Sequence, residues 1–187
     1  FSIDSLKKDV FENIRVRLNF EEVRDNAIKF LELRDKINPD CRVWIRMIRQ
    51  ESNYNEWDDY YNFWRKYTSE VDRVYYHNIF NWGGQLDEYK SVSKSFEPNL
   101  PCVALWSLLV VFANGDVPLC NVDYNNKYPT GSIMKNTIEE LWKSKIMNAR
   151  RKLHLTGNKK DISICANCNV WDEVKGEEII SPEFAEE

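Results

Sequence analysis

Four of the five cysteines stand where their thiolates could be drawn to one point. Cys102 and Cys120 are separated by a segment that turns at Asn114-Gly115, and Cys165-Ala-Asn-Cys168 forms a tight knuckle near the C-terminus. A thiolate cage needs four sulfurs around one centre. A hairpin carrying two and a knuckle carrying two can supply them with little backbone strain. A C-x-x-C pair alone serves zinc, iron–sulfur and dithiol redox sites alike; the set of four in this order points to a bound inorganic centre. Structural zinc also accepts four thiolates, but zinc ribbons usually supply two short knuckles, and Cys102 and Cys120 lie far apart. Cys41 precedes an alternating apolar run and is expected to be a small buried hydrophobe.

The chain has ample length to build a core around such a site. Its 187 residues suit one large domain or two small ones. Hydrophobic residues make up 43% and charged residues 30%, an ordinary composition with a charged surface. A net charge of −4 offers no basic surface for nucleic acid. No apolar run approaches the length of a membrane span, and Phe1-Ser-Ile-Asp4 has neither the basic start nor the apolar stretch of a signal peptide. A cytoplasmic location is therefore expected, where cysteines stay reduced and serve metals or chemistry rather than disulfides. The chain opens without Met inside a strand-like stretch, as a piece of a longer protein would.

Strands and helices alternate over residues 1–97, which argues for α/β architecture with parallel strands. Phe1–Ile3 is strand-like, and Asp4 or Ser5 could cap a short helix through about Val16. Asn19-Phe-Glu-Glu22 opens a second helix, which ends before Asn38-Pro39. Arg42–Ile48 alternates as a strand. Asn55 is expected to cap a helix through about Tyr67, whose aromatic residues suit a core, and Val71–Phe80 is the next strand. Asn81-Trp-Gly-Gly84 is a turn that brings backbone close to something. Glu97-Pro-Asn-Leu-Pro101 is the best boundary, giving a second domain over 98–187. There, Leu108–Ala113 and Val117–Val122 flank Asn114-Gly115 as hairpin strands. Thr137-Ile-Glu-Glu140 is a capping box opening a helix through about Leu153, with Ile138, Leu141, Trp142, Ile146 and Ala149 on one face. Glu173–Glu187 reads as an acidic, frayed tail. His77 and His154 are expected to be satisfied surface or core residues, since four thiols complete the site.

These motifs resemble radical S-adenosylmethionine (SAM) enzymes with a C-terminal SPASM or "twitch" auxiliary-cluster domain. The likeness covers about residues 101–171. It rests on Pro101-Cys102, the strand ending Asn114-Gly115-Asp116-Val117-Pro-Leu-Cys120, Gly131-Ser-Ile133, Ile138-Glu-Glu-Leu-Trp142, Arg150 and the Cys165–Cys168 knuckle. With no cysteine after Cys168, the pattern is more similar to the one-cluster twitch type than to a full two-cluster SPASM domain. The N-terminal part is similar to the later strands of a partial (β/α)6 radical SAM barrel. Ser2-Ile-Asp4 resembles a strand end that contacts the SAM ribose, although Ser5 stands where that motif has glycine. Phe11-Glu-Asn-Ile-Arg15, Asn19-Phe-Glu-Glu22 and Asn26 are also family-like. No C-x-x-x-C-x-x-C is present; the resemblance places that motif upstream of Phe1.

The resemblance implies a small α+β twitch/SPASM domain following the C-terminal part of the barrel. It implies an auxiliary [4Fe-4S] cluster at Cys102, Cys120, Cys165 and Cys168, and SAM contacts from Ser2, Asp4 and Arg15. Read without it, Ser2 and Asp4 would be helix caps and Arg15 a solvated helix charge. The full-length protein would use SAM and a second [4Fe-4S] cluster to form a 5′-deoxyadenosyl radical. That radical would abstract hydrogen from a small-molecule or peptide substrate, with flavodoxin or ferredoxin as a low-potential electron donor. The auxiliary cluster would serve electron transfer during oxidation, and this chain alone would be inactive. The alternative is a zinc-stabilised interaction module without catalytic activity.

Overall fold

The computed structural model describes residues 1–86, 101–166 and 168–170. These belong to two compact units, one over 1–79 and the other over 80–86 and 101–170. The expected boundary at 97/98 and the acidic tail lie outside the described residues.

In the first unit, helices α1 (Lys8–Ile14) and α2 (Phe20–Ile37) precede strand β1 (Trp44–Arg49). A 3-10 helix (Glu51–Glu56) and helix α3 (Trp57–Trp64) then lead to strand β2 (Arg73–Asn78). The two strands pair in parallel, from Trp44 opposite Arg73 to Arg49 opposite Asn78. On β1, the amide of Arg46 donates to the Phe1 carbonyl at 2.8 Å, and the Ile3 amide donates back to the Arg46 carbonyl at 3.0 Å. Ser2 thus forms a parallel bridge to Arg46. This is the mixed α/β arrangement the alternating pattern implies. Period-two alternation buries Ile45 and Met47. They meet Ile3, Phe11, Leu31, Tyr60 and Trp64 in one core.

The helix starts depart from expectation in two places. Neither Asp4 nor Ser5 caps α1; its N-cap is Lys7, with no side-chain bond. Both residues are buried instead, and Ser5 Oγ donates to Glu56 Oε2 at 2.6 Å. Asn55 does not cap α3, because the chain first closes a 3-10 turn boxed by Gln50 and Asn53. Asn53 Nδ2 donates to the carbonyls of Asp4 (2.6 Å) and Ile48 (2.9 Å), which ties that turn to both strand ends. Asn19 does cap α2, accepting from the Glu22 amide at 2.9 Å.

A buried ion pair joins the end of α2 to the strand entries. Arg34 donates to both carboxylate oxygens of Asp72 at 2.6 and 2.5 Å. Asp72 also accepts from the Val43 and Ser69 amides, each at 2.8 Å. Burial would raise the Asp72 carboxyl, but the guanidinium and these amides outweigh it and hold it at about 2. Arg34 also donates to the Cys41 carbonyl. Cys41 itself is exposed rather than buried, since it stands in the turn between α2 and β1.

The second unit contains helix α4 (Ala104–Ser107), strands β3 (Asp116–Val117) and β4 (Gly131–Ser132), and helices α5 (Ile138–Trp142) and α6 (Lys145–Leu155). A 3-10 turn (Lys159–Asp161) and helix α7 (Ser163–Ala166) follow. The chain does reverse at Asn114-Gly115. The Gly115 amide donates to the Phe112 carbonyl at 2.8 Å, and the Phe112 amide donates to the Asp116 carbonyl at 2.8 Å. With Gly115 at φ +86°, this is a three-residue reversal closed by a left-handed glycine. The long flanking strands do not form: β3 pairs antiparallel with β4 instead. The predicted helix over 137–153 is split in two. Thr137 and Glu140 form the capping box, while Ser144 caps a new helix by accepting from the Met147 amide at 3.2 Å. The break rotates the apolar face, so Met147, Arg150 and His154 are buried while Ile138 and Ile146 are exposed.

Removing one partner of the Arg34–Asp72 pair leaves an uncompensated buried charge. Asp72→Asn is expected to destabilise the chain by about 3–5 kcal/mol, read as a lowered denaturant midpoint at unchanged slope. A loss below about 1 kcal/mol would make the pair as dispensable as a surface one.

Candidate metal centre

Three separate segments bring the four cysteines to one cavity. Cys102 leads into α4, Cys120 follows β3, and Cys165 and Cys168 belong to and follow α7. All four line one cavity, together with Leu105, Leu119, Ile164 and His154 among others.

Two of these segments have braces of their own. The buried Asp123 carboxylate accepts from the amides of Leu119 (3.3 Å), Lys127 (2.8 Å) and Tyr128 (3.0 Å), and so folds the loop around Cys120. Arg150 on α6 donates to Thr130 Oγ1 at 2.8 Å and to the carbonyls of Tyr128 and Pro129 at 3.0 and 3.1 Å. Its charge acts on Cys165 and Cys120 as well as on Asp123. On the knuckle side, the Asn81 amide donates to Asn169 Oδ1 at 2.8 Å. Gly83, at φ +71°, lies so close that an added Cβ would stand 2.5 Å from Ile164 Cγ1 and 2.9 Å from the Ile164 carbonyl. The Trp82-Gly83-Gly84 turn therefore presses against the residue next to Cys165.

The thiols are costly to ionise in this setting. Burial pushes Cys165 up to about 12, with repulsion from the other three cysteines adding to it. Burial likewise raises Cys168 to about 11, opposed by the Val170 amide. Cys102 and Cys120 are raised by the same desolvation; the Ala104 amide opposes it at Cys102, and the Val122 and Asp123 amides oppose it at Cys120. Backbone donors aimed at cysteine sulfurs are the environment a thiolate-bound centre uses.

Among the described residues, no three His, Cys, Asp or Glu side chains converge closely enough to hold a single metal ion. Zinc draws its sulfurs to about 2.3 Å from one point. A cubane is several ångströms across and takes one thiolate at each iron corner, so its four sulfurs line a cavity without meeting. Four cysteine thiols lining one cavity are a donor set that an iron–sulfur cluster accepts.

The expected SAM contacts lie in the first unit. Arg15 Nε donates to Asp4 Oδ2 at 2.6 Å, and the Ile48 amide donates to Asp4 Oδ1 at 2.8 Å. Asp4 is buried with both oxygens engaged, while Arg15 remains 34% exposed. Ser2 Oγ accepts from Arg46 at 3.1 Å. Thus Asp4 and Arg15 are brought together; neither Ser2 nor Asp4 caps a helix, and Arg15 is the C-cap of α1. Two residues that shape or line the site escaped sequence reasoning. One is Asp123, whose bonds are all local to its loop. The other is His154, whose inward face follows only once Ser144 is read as a new N-cap.

Two outcomes are expected of this packing. Gly83→Ala forces a side chain against Ile164 backbone from a left-handed φ, so it should cost about 1–3 kcal/mol and lower metal content. Unchanged metal content per folded chain would dissociate the turn from the site. In the metal-free chain, raised thiol pKa values mean that folding favours the neutral thiols. Stability is fully present below the ordinary value of 9.0 and is lost as pH rises towards about 11 and about 12. Denaturant midpoints across alkaline pH read this directly, and a midpoint that rises would reverse the sign.

Residues 102–169 match the family model for the SPASM iron–sulfur cluster-binding domain. A S-adenosyl-L-methionine-dependent 2-deoxy-scyllo-inosamine dehydrogenase from Niallia circulans is 33% identical over 91 residues, 49% of this chain and 35% of that protein. An uncharacterized protein of Treponema pallidum is 20% identical over 143 residues, 75% of this chain and 39% of the relative. The chain thus spans little more than a third of the length of these curated relatives. A crystal structure of BtrN in complex with AdoMet and 2-DOIA superposes with a TM-score of 0.46 at 20% identity, covering 77% of this chain and 66% of that one. Among the described residues, no helix is long and apolar enough to cross a membrane. Residues 102–169 are thus similar to a SPASM iron–sulfur cluster-binding domain, and 91 residues of the chain are similar to a S-adenosyl-L-methionine-dependent dehydrogenase.

Proposed function

We propose that this chain supplies the auxiliary-cluster domain, residues 98–187, and the later barrel strands, residues 1–97, of a radical SAM oxidoreductase. The observation that carries this reading is the cavity lined by all four cysteines. When bound, a [4Fe-4S] cluster supplies one-electron acceptance. Cys102, Cys120, Cys165 and Cys168 would each hold one iron, which leaves no iron free to bind SAM. The chain's own residues then fix the site. Asp123 and Arg150 shape the Cys120 loop, and the apolar lining excludes water. Ser2, Asp4 and Arg15 are proposed to meet SAM, with Asp4 holding the Arg15 guanidinium in place for the ligand's carboxylate.

The name of the Niallia relative favours oxidation of a small polar alcohol rather than peptide maturation. Such an oxidation takes a hydrogen atom and then an electron and a proton from the substrate, and the electron needs an acceptor. A flavodoxin or ferredoxin in the cytoplasm would return electrons to the system.

Anaerobically reconstituted chain is expected to be brown, with about four irons per chain. Replacing any one of the four cysteines by Ala should lower iron content. In the protein together with its SAM-cleaving cluster, Cys168→Ala should stop product formation while 5′-deoxyadenosine still forms. A colourless protein with one tightly held zinc would replace this reading with that of an interaction module. Full turnover without the auxiliary cluster would reduce the domain to a structural role.

A further inference from the structure

His154 is 2% exposed on α6 and lines the cavity with the four cysteines. Its Nδ1 accepts a hydrogen bond from the Cys102 amide at 3.1 Å. An amide can only donate, so Nδ1 carries a lone pair and the ring proton resides on Nε2. Nε2 is fully buried and has no hydrogen-bond partner among the described residues. An orphaned buried N–H carries a penalty on the scale of a lost hydrogen bond, and native interiors rarely leave one unpaired. The rest of the cavity wall supplies few acceptors. Leu105, Leu119, Val122 and Ile164 are apolar, Lys159 is a donor, and Asn121 is exposed. Sulfur is the acceptor this cavity holds in quantity.

We propose that His154 Nε2–H donates a hydrogen bond to a sulfur of the iron–sulfur centre, either a bridging sulfide or a cysteinyl sulfur, and thereby raises its reduction potential. This rests on the reading that the four cysteines hold a cluster. An added electron increases the negative charge on the sulfurs, so a fixed donor stabilises the reduced form more than the oxidised one. The ring is held in the productive tautomer by the amide of a ligand residue, so the same side chain grips Cys102 and faces the centre. Four cysteines remain the ligands, and His154 is a positioning and tuning residue.

The two ends of the ring can be tested separately. Asn in place of His154 keeps an acceptor near Nδ1 and removes the Nε2 donor, whereas Gln keeps a donor near Nε2. Reduction potentials of the reconstituted 187-residue chain should be measured by redox titration, with iron content determined alongside. H154N is expected to bind iron at the wild-type level with a more negative potential, and H154Q to lie close to wild type. An H154N potential equal to wild type at equal iron content would overturn the proposal. Wild-type chain with isotope-labelled histidine provides a measurement that needs no variant at the site. His77→Gln leaves a single labelled ring. The reduced paramagnetic centre should then show coupling to that ring nitrogen and to a deuterium-exchangeable proton. A reduced cluster signal without either coupling would overturn the hydrogen bond. No cluster signal from wild-type chain with all four cysteines would instead overturn the cluster reading beneath it.

Discussion

Four half-buried cysteines around one cavity create a charge problem that the polypeptide alone meets only in part. Each thiolate would be desolvated, and each would repel the other three, which is why burial and mutual repulsion together push Cys165 up to about 12. The chain sets backbone amides against this, from Ala104 at Cys102, from Val122 and Asp123 at Cys120, and from Val170 at Cys168. Those dipoles oppose the desolvation without cancelling it. A bound iron–sulfur cluster would remove the conflict, since iron would hold the four cysteine sulfurs as thiolates in place of their protons. The surrounding loops are consequently arranged to present sulfur and N–H groups to a shared interior.

That arrangement explains why so little regular structure surrounds the site. A strand or helix spends its backbone donors on its own ladder, whereas turns free them for sulfurs and carboxylates. Asp123 substitutes for a ladder by gathering three amides from its own loop. Arg150 closes the same loop from outside by taking two consecutive carbonyls and a hydroxyl. Neither residue needs to touch the centre. Their effect is to hold Cys120 in place, and a site fixed in advance reorganises little when its charge changes.

The first unit solves a comparable problem with ion pairs. Arg34–Asp72 and Arg15–Asp4 both place a carboxylate in the interior and satisfy it with a guanidinium plus backbone amides. Buried pairs contribute little to stability against an apolar replacement. Here each one joins a helix to the strand entries or ends, Arg34–Asp72 at the start of both strands and Arg15–Asp4 beside Ile48. Asp4 therefore has a structural task of its own, and Arg15, partly exposed, is the member of that pair left available to solvent.

Much of this was legible in the linear chain because it depends on local pattern. Alternation at Ile45 and Met47 marks a strand, Asn19 and Thr137 mark helix starts, and Asn114-Gly115 marks a reversal, since each rests on interactions within a few residues. The four cysteines were legible as a set because sulfur chemistry is rare enough for their order to carry information. Local signals failed where distant partners compete. Ser5 reads as a cap but bonds Glu56, which lies far along the chain. Val117–Val122 reads as a hairpin strand, yet β3 takes its ladder from Gly131–Ser132 and the rest of the segment turns to serve Cys120. The inward face of α6 depends on a helix break that shifts phase, so His154 could not be placed beside Cys102 from spacing alone. Residue types and local bonding determined the elements and the sulfur set; tertiary packing decided which buried donor faces that set, because only folding brings the Cys102 segment onto α6.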